Sequence, residues 1–246
     1  MLRHTISACL GALSLMLASH AYAGISLNAT RIVFNSPNKE ASITVRNSGQ
    51  EVLIQSWLDS GNDSETPPPF AVAPPLARVP ANDQQLLRIL YEGSGLPTDR
   101  ESVVWLNVQE IPQSSAGDNK LQLAVRQRIK VFFRPAGLAG EASQAPEELQ
   151  WQLVSQAGKT ELRVRNPGKY HVSMSDLKLG SEVAVESTMV APGEEKAFPI
   201  KRAVPAGTID LTFSSINDYG AQVPYSARLP VGGSASTAAK RNDRTS

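Results

Sequence analysis

Arg31 interrupts the apolar run "NATRIVF", and Lys130 lies within "KLQLAVRQRIKVFFRP", Lys120 to Pro135. Neither has an acidic residue close to it in sequence. If the two segments were neighbouring strands, the pair would converge into a receptor for a carboxylate or a phosphate. Charge-assisted hydrogen bonds of that kind contribute about 1.5–3 kcal/mol each. An isolated Arg in a strand is more commonly a solvent-facing residue, so the convergence depends on the fold.

Other chemistry is poorly supplied. Triad catalysis needs a base beside a nucleophile. The chain holds one cysteine, Cys9, and three histidines, of which only His171 lies beyond the first 23 residues. His171 stands on a candidate strand without partners and reads as an ordinary surface or packing residue. Zinc sites built from Cys and His are out of reach. The "GKT" at Gly158 lacks the glycine that a phosphate loop requires at position 153, which is Leu153, so it reads as a hairpin turn. "DSGNDSE", with Asp59, Asp63 and Glu65, lacks calcium-loop spacing and reads as a solvated turn. No active site assembles, and no cofactor or metal is expected.

The elements that would position the cations are strands. In the segment from Lys120, Leu121, Leu123, Val125, Ile129, Val131 and Phe133 occupy odd positions, while Arg126, Arg128, Lys130 and Arg134 occupy even ones. Period two with β-branched and aromatic residues predicts a strand with one apolar face. Similar short runs recur, among them "ASITVRN", "EVLIQSWL", "QLLRILY" and "SVVWLNVQEI", separated by Pro, Gly, Asn and Asp turns. A second set begins at "QWQLVSQ" and ends at "VPYSARL". "TVRNSGQEVLIQSWL" from Thr44 is echoed by "RVRNPGKYHVSMSDL" from Arg163. The pattern predicts an all-β chain of two β-sandwiches of related topology.

The start, "MLRHTISACLGALSLMLASHAYA", has a basic head, an apolar run from Ile6 to Leu17 and an Ala-x-Ala ending at Ala23. It reads as a cleavable secretory signal, which sends the protein to an exported compartment. The expected organisation is signal 1–23, first domain 24–140, second domain 141–230 and a disordered Ser/Ala/Gly-rich tail 231–246. Removing the signal takes Arg3 and no acid, leaving 23 Lys and Arg against 23 Asp and Glu. A chain without net charge has no global basic field for nucleic acid or anionic lipid. No membrane insertion is expected either.

Several motifs in order resemble the periplasmic pilus-assembly chaperones of the PapD-like type. They are "VAPPLARVPAND", "LPTDRESVVWLNVQEIP" (departing only at Gln113), "IKVFFRP" and "SINDYGA". The resemblance covers nearly the whole chain after the signal and implies that the two sandwiches are immunoglobulin-like with a cleft between them, and that the exported protein works in the periplasm. It implies that Arg31 and Lys130 anchor the C-terminal carboxylate of a pilus subunit. It further implies that Leu121, Leu123 and Val125 are lent to the subunit's incomplete sandwich, that is, donor-strand complementation. Arg78, Glu101 and Arg134 match an internal ionic triad that orients the domains, and Asp218 a second-domain acid near the hinge. The short stretch between Glu110 and Asn119 resembles the short-loop branch. The implied partners are pilins and an adhesin subunit, with an outer-membrane usher receiving them. A sticky strand also invites self-capping as a homodimer. A different class, a two-domain adhesin or surface binding module, would use its exposed loops instead. One matter stays open: strict alternation sets Lys130 on the face opposite Leu121, Leu123 and Val125. Either a bulge or twist re-aims the strand, or the cleft receives both faces.

Overall fold

The computed structural model describes residues 24–61, 67–111, 124–156, 159–201, 204, 207–232 and 236–242. The first sandwich contains β1 (Ile25–Leu27), β2 (Arg31–Asn35), β3 (Glu40–Asn47), β4 (Val52–Asp59), β5 (Phe70–Ala73), β6 (Leu76–Val79), β7 (Gln84–Tyr91), β8 (Ser102–Ile111) and β9 (Arg126–Arg134). After a short helix, α1 (Ala145–Glu148), come β10 (Gln150–Gln156), β11 (Lys159–Arg165), β12 (Val172–Leu179), β13 (Glu182–Val190), β14 (Glu195–Ile200), β15 (Thr208–Ile216), β16 (Gln222–Pro230), β17 (Thr237–Ala238) and β18 (Lys240–Arg241).

In the first sandwich the sheet β1-β3-β7-β5 faces the sheet β2-β9-β8-β4-β6. Their inward residues form one core, including Phe34, Ile43, Ile54, Leu87, Leu106 and Val131. Phe34, Phe70, Tyr91 and Phe133 form an aromatic cluster at its lower end, with the Tyr91 and Phe133 centroids 4.4 Å apart. Edge and tilted contacts of this kind add about 0.5–1.5 kcal/mol beyond the area they bury. Alternation in β9 survives folding: Val131 and Phe133 are buried in this core.

The second sandwich packs β14-β11-β10-β17 against β13-β12-β15-β16-β18. Trp151, Leu162, Met174, Leu211, Phe213 and Tyr225 are buried at its centre. The echoed Val-Arg-Asn segments do the same work in both sandwiches. The Asn47 amide donates to the carbonyls of Gln50, Val79 and Pro80, and its oxygen accepts from Gly49 N–H. Asn166 donates to Tyr170 and Val190 carbonyls and accepts from Gly168 N–H. Each buried amide thus satisfies backbone groups that a turn would leave unpaired.

The tail departs from expectation. Disorder is predicted from position 231, yet β17 pairs with β10, β18 pairs with β16, and Ala239 between them is buried in the second core. β10 and β16 would otherwise end their sheets, and their open backbone groups accept a short strand whatever its side chains. Composition carries no signal for pairing made by the main chain.

Candidate functional site: a cation pair and an ionic hinge

β2 lies parallel to β9, and their register sets Arg31 directly opposite Lys130. Cross-strand partners project to the same face of a sheet, so the two cations stand side by side. That face is the one away from the core, and the second sandwich leans on its lower half. Arg31 Nη1 donates to the Ile216 carbonyl at 2.8 Å, and Lys130 Nζ lies 3.4 Å from Ser173 Oγ. Arg31 also packs over the Phe132 ring, 5.6 Å from its centroid, while its buried Nε finds no partner among the described residues. No carboxylate among the described residues forms a salt bridge with either cation.

The electrostatics agree. Burial lowers the Lys130 ammonium below the ordinary lysine range, and the neighbouring Arg31 and Lys196 lower it further. Burial also lowers Arg31, against smaller opposing contributions from Asp218 and Glu101. Two desolvated cations with no ion-pair partner make a site that favours an anion.

Below them runs an ionic hinge between the sandwiches. Arg134 Nε donates to Glu101 Oε2 at 2.7 Å, and its two terminal nitrogens bond both Asp218 oxygens at 2.7 Å each. Glu101 is buried to 1% exposure and spans the domains itself: Oε1 accepts His171 N–H at 2.9 Å and lies 3.0 Å from His171 Nδ1. Burial would lower the Arg134 guanidinium, but the hydrogen bonds to Asp218 and the charge of Glu101 outweigh it and raise it above the arginine range. Asp218 is presented by a tight turn in which Asn217 Oδ1 accepts both Tyr219 and Ala221 N–H.

Arg78 is not part of this hinge. It pairs with Glu51 at 2.6 Å, its side chain 70% exposed, because β6 is the far edge of the five-stranded sheet and turns it to solvent. Asp218 and His171 take the places beside Glu101 and Arg134. The role of His171 escaped the sequence because its partner, Glu101, lies 70 residues away.

Leu121 and Leu123 lie outside the described residues. Val125 is 47% exposed, just before β9, and its carbonyl accepts Glu110 N–H at 2.9 Å. The β8–β9 ladder runs from Arg126 to Phe133 without a register shift. No bulge therefore re-aims this stretch: Lys130 faces the second domain while Ile129 and Val131 face the core. Nor are Arg126 and Arg128 simply solvated. Arg126 Nε donates to Asn107 Oδ1 at 2.9 Å, and Arg128 Nη2 donates to Asp59 Oδ1 at 2.5 Å.

Comparison with known proteins gives one family. The models for the pili and flagellar-assembly chaperone PapD N-terminal domain and the pili assembly chaperone PapD C-terminal domain match residues 24–139 and 144–227. The chain is 36% identical to the probable fimbrial chaperone YadV of Escherichia coli K12, covering 92% of this chain and 98% of that one. It is also 36% identical to the chaperone protein FimB/FhaD of Bordetella pertussis, covering 90% and 95%. The crystal structure of the YadV chaperone superposes with a TM-score of 0.71 over 84% of this chain and all of that one. The SafB chaperone of Salmonella enterica, solved in complex with the SafA pilin, matches at 26% identity and a TM-score of 0.71, covering 85% and 98%.

Proposed function

This chain belongs to the PapD-type pilus-assembly chaperones, and on that premise we propose that it holds pilus subunits in the periplasm by donor-strand complementation and hands them to an outer-membrane usher. The single observation that carries the reading is the cation pair. Arg31 and Lys130 are adjacent in register, desolvated and without a carboxylate in salt-bridge contact among the described residues, and Lys130 lies on β9, the strand that would be lent, with Arg31 beside it on β2. A subunit's C-terminal carboxylate supplies the missing charge. Its final strand then lies along the open edge of β9 above Lys130, and Leu121, Leu123 and Val125 fill the groove left by the strand the subunit lacks. Each buried aliphatic side chain contributes about 1.5–3 kcal/mol before ordering costs are subtracted. The pilin complex of the SafB chaperone supports a subunit as partner.

The work is binding without turnover, driven by strand exchange and burial. An adhesin that used its loops would have no need of a desolvated cation pair at the foot of a cleft, and the fimbrial chaperone relatives do not favour that reading. The test is recovery of subunits from the periplasm of cells carrying the full chain or its variants. Arg31→Ala and Lys130→Ala should each leave the chaperone folded and reduce the co-purified subunit at least tenfold, the loss of about 1.4 kcal/mol or more expected for a charge-assisted bond. Normal recovery with both changes made together overturns the anchor.

A further inference from the structure

Arg126, Arg128 and Lys130 occupy successive outward positions of β9, on one face of an unbroken ladder. Successive side chains on one face of a strand stand about 6.6–6.8 Å apart. The second sandwich meets this face from Lys130 downward, through Ser173, His171 and Asp218. Arg126 and Arg128 stand above that contact, exposed, as one wall of the cleft.

Both guanidinium groups are held in place. Arg126 lies over Trp57, 5.2 Å from the ring centroid, and Arg128 over Trp105 at 4.3 Å. Trp105 also carries Lys130 at 5.3 Å. Asn107, fully buried on this face, accepts from Arg126 and donates to Asp59 Oδ2 at 2.6 Å. Asp59 in turn accepts from Arg128, and these bonds outweigh its burial and lower its carboxyl below the usual range. Gly61 keeps the edge of Trp105 clear, since a Cβ at that position would lie 2.1 Å from the indole nitrogen.

A free arginine side chain gives up rotamer entropy when it is fixed by a partner. Stacking on indole and bonding through Nε or one terminal nitrogen meets much of that cost in advance, leaving other N–H groups directed outward. The wall is also short of negative charge. Arg31, Arg126, Arg128 and Lys130 are its cations above the hinge that holds Arg134, and Asp59 is the one acid among the described outward residues of β2, β4, β8 and β9.

We propose that this cation–indole ladder is a second recognition element, selecting a bound strand that carries Asp or Glu side chains at alternate positions ahead of its C-terminal carboxylate. The inference rests on Arg31 and Lys130 being the carboxylate anchor. A strand that ends at Lys130 and lies along β9 above it must run parallel to β9. Every second side chain of that strand then faces Arg128 and Arg126 in turn.

The experiment uses the full mature chain and two synthetic peptides with free C-termini. Both carry valine at the inward alternate positions, with glutamate at the outward positions of one and glutamine at those of the other. Fluorescence anisotropy at low salt should show the glutamate peptide binding about tenfold tighter, as two partly exposed ion pairs allow. The difference should shrink as NaCl screens the charges. Arg126→Gln with Arg128→Gln should bind both peptides at the glutamine peptide's wild-type affinity. Arg126→Gln alone, which leaves the Arg128–Asp59 pair intact, should show an intermediate difference. Equal affinities in the wild type, or discrimination that persists in the double variant, overturn the ladder. Equal affinities that still fall when the C-terminus is amidated overturn the ladder alone. Failure of both peptides to bind overturns the strand-binding reading with it.

Discussion

A lysine ammonium half-buried between an arginine and a second lysine is held against both desolvation and repulsion. Its folded-state pKa lies below the unfolded value, so the unfolded chain binds the proton more readily. The resulting destabilisation is full at pH values below the folded pKa and fades as pH rises through the window between the two values. At neutral pH the empty site is therefore slightly unstable, and an anion relieves it. Lys130→Met, which keeps the stem's packing and removes the charge, should raise the unfolding free energy by roughly 0.5 kcal/mol. Urea unfolding at pH 7 measures this, and the same variant should lose subunit binding. A lower midpoint with normal binding would count against Lys130 as a functional cation. Function and stability pull in opposite directions at such a residue.

At the scale of elements, β9 serves two purposes because its two faces meet different surroundings. One face closes the first core with Val131 and Phe133, and the other carries Lys130, Phe132 and Arg134 to the second sandwich. The turn between β15 and β16 meets that outer face. Gly220 there has φ of +83°, and a Cβ on it would lie 2.4 Å from Thr30 Oγ1, one residue before Arg31. Gly220→Ala should cost more than 1 kcal/mol, since a side chain resists this backbone conformation and the contact leaves no room. Thermal unfolding should show the loss, together with weaker subunit binding as Arg31 is displaced. An unchanged midpoint would mean that the turn and β2 separate without cost.

At the scale of the molecule, Arg134, Glu101, Asp218 and His171 join the two sandwiches through ion pairs and hydrogen bonds, while the two buried apolar cores are separate clusters. Removing one member of a buried ion network costs about 3–5 kcal/mol, because the remaining charges are left buried and unpaired. Arg134→Met strands Glu101 at the interface and should uncouple the domains. Calorimetry should resolve two transitions, and the small-angle scattering profile should broaden toward an ensemble of domain angles. A single transition at the wild-type temperature would place the domain coupling elsewhere.

Much of this protein was legible in its residues, and the reason differs by feature. Strand faces follow from a period of two that is local to each segment, so Val131 and Phe133 were readable as core without any partner in view. The echo around Asn47 and Asn166 was visible as a repeat, since the same turn needs the same buried amide. Arg31 and Lys130 stood out as strand cations without a nearby acid, and motif likeness gave them a role and brought Glu101, Arg134 and Asp218 forward. It misplaced Arg78, because a motif records that an arginine is present and not which sheet edge carries it to solvent. His171, Asn107 and the indoles of Trp57 and Trp105 had no local signal at all. Their roles arise from residues on other strands, and the pairing of β2 with β9 decides which of those meet. Sequence alone determined which side chains turn inward and which turn outward. Only tertiary structure decided what the outward ones would face, because that depends on register and domain contact between segments distant along the chain.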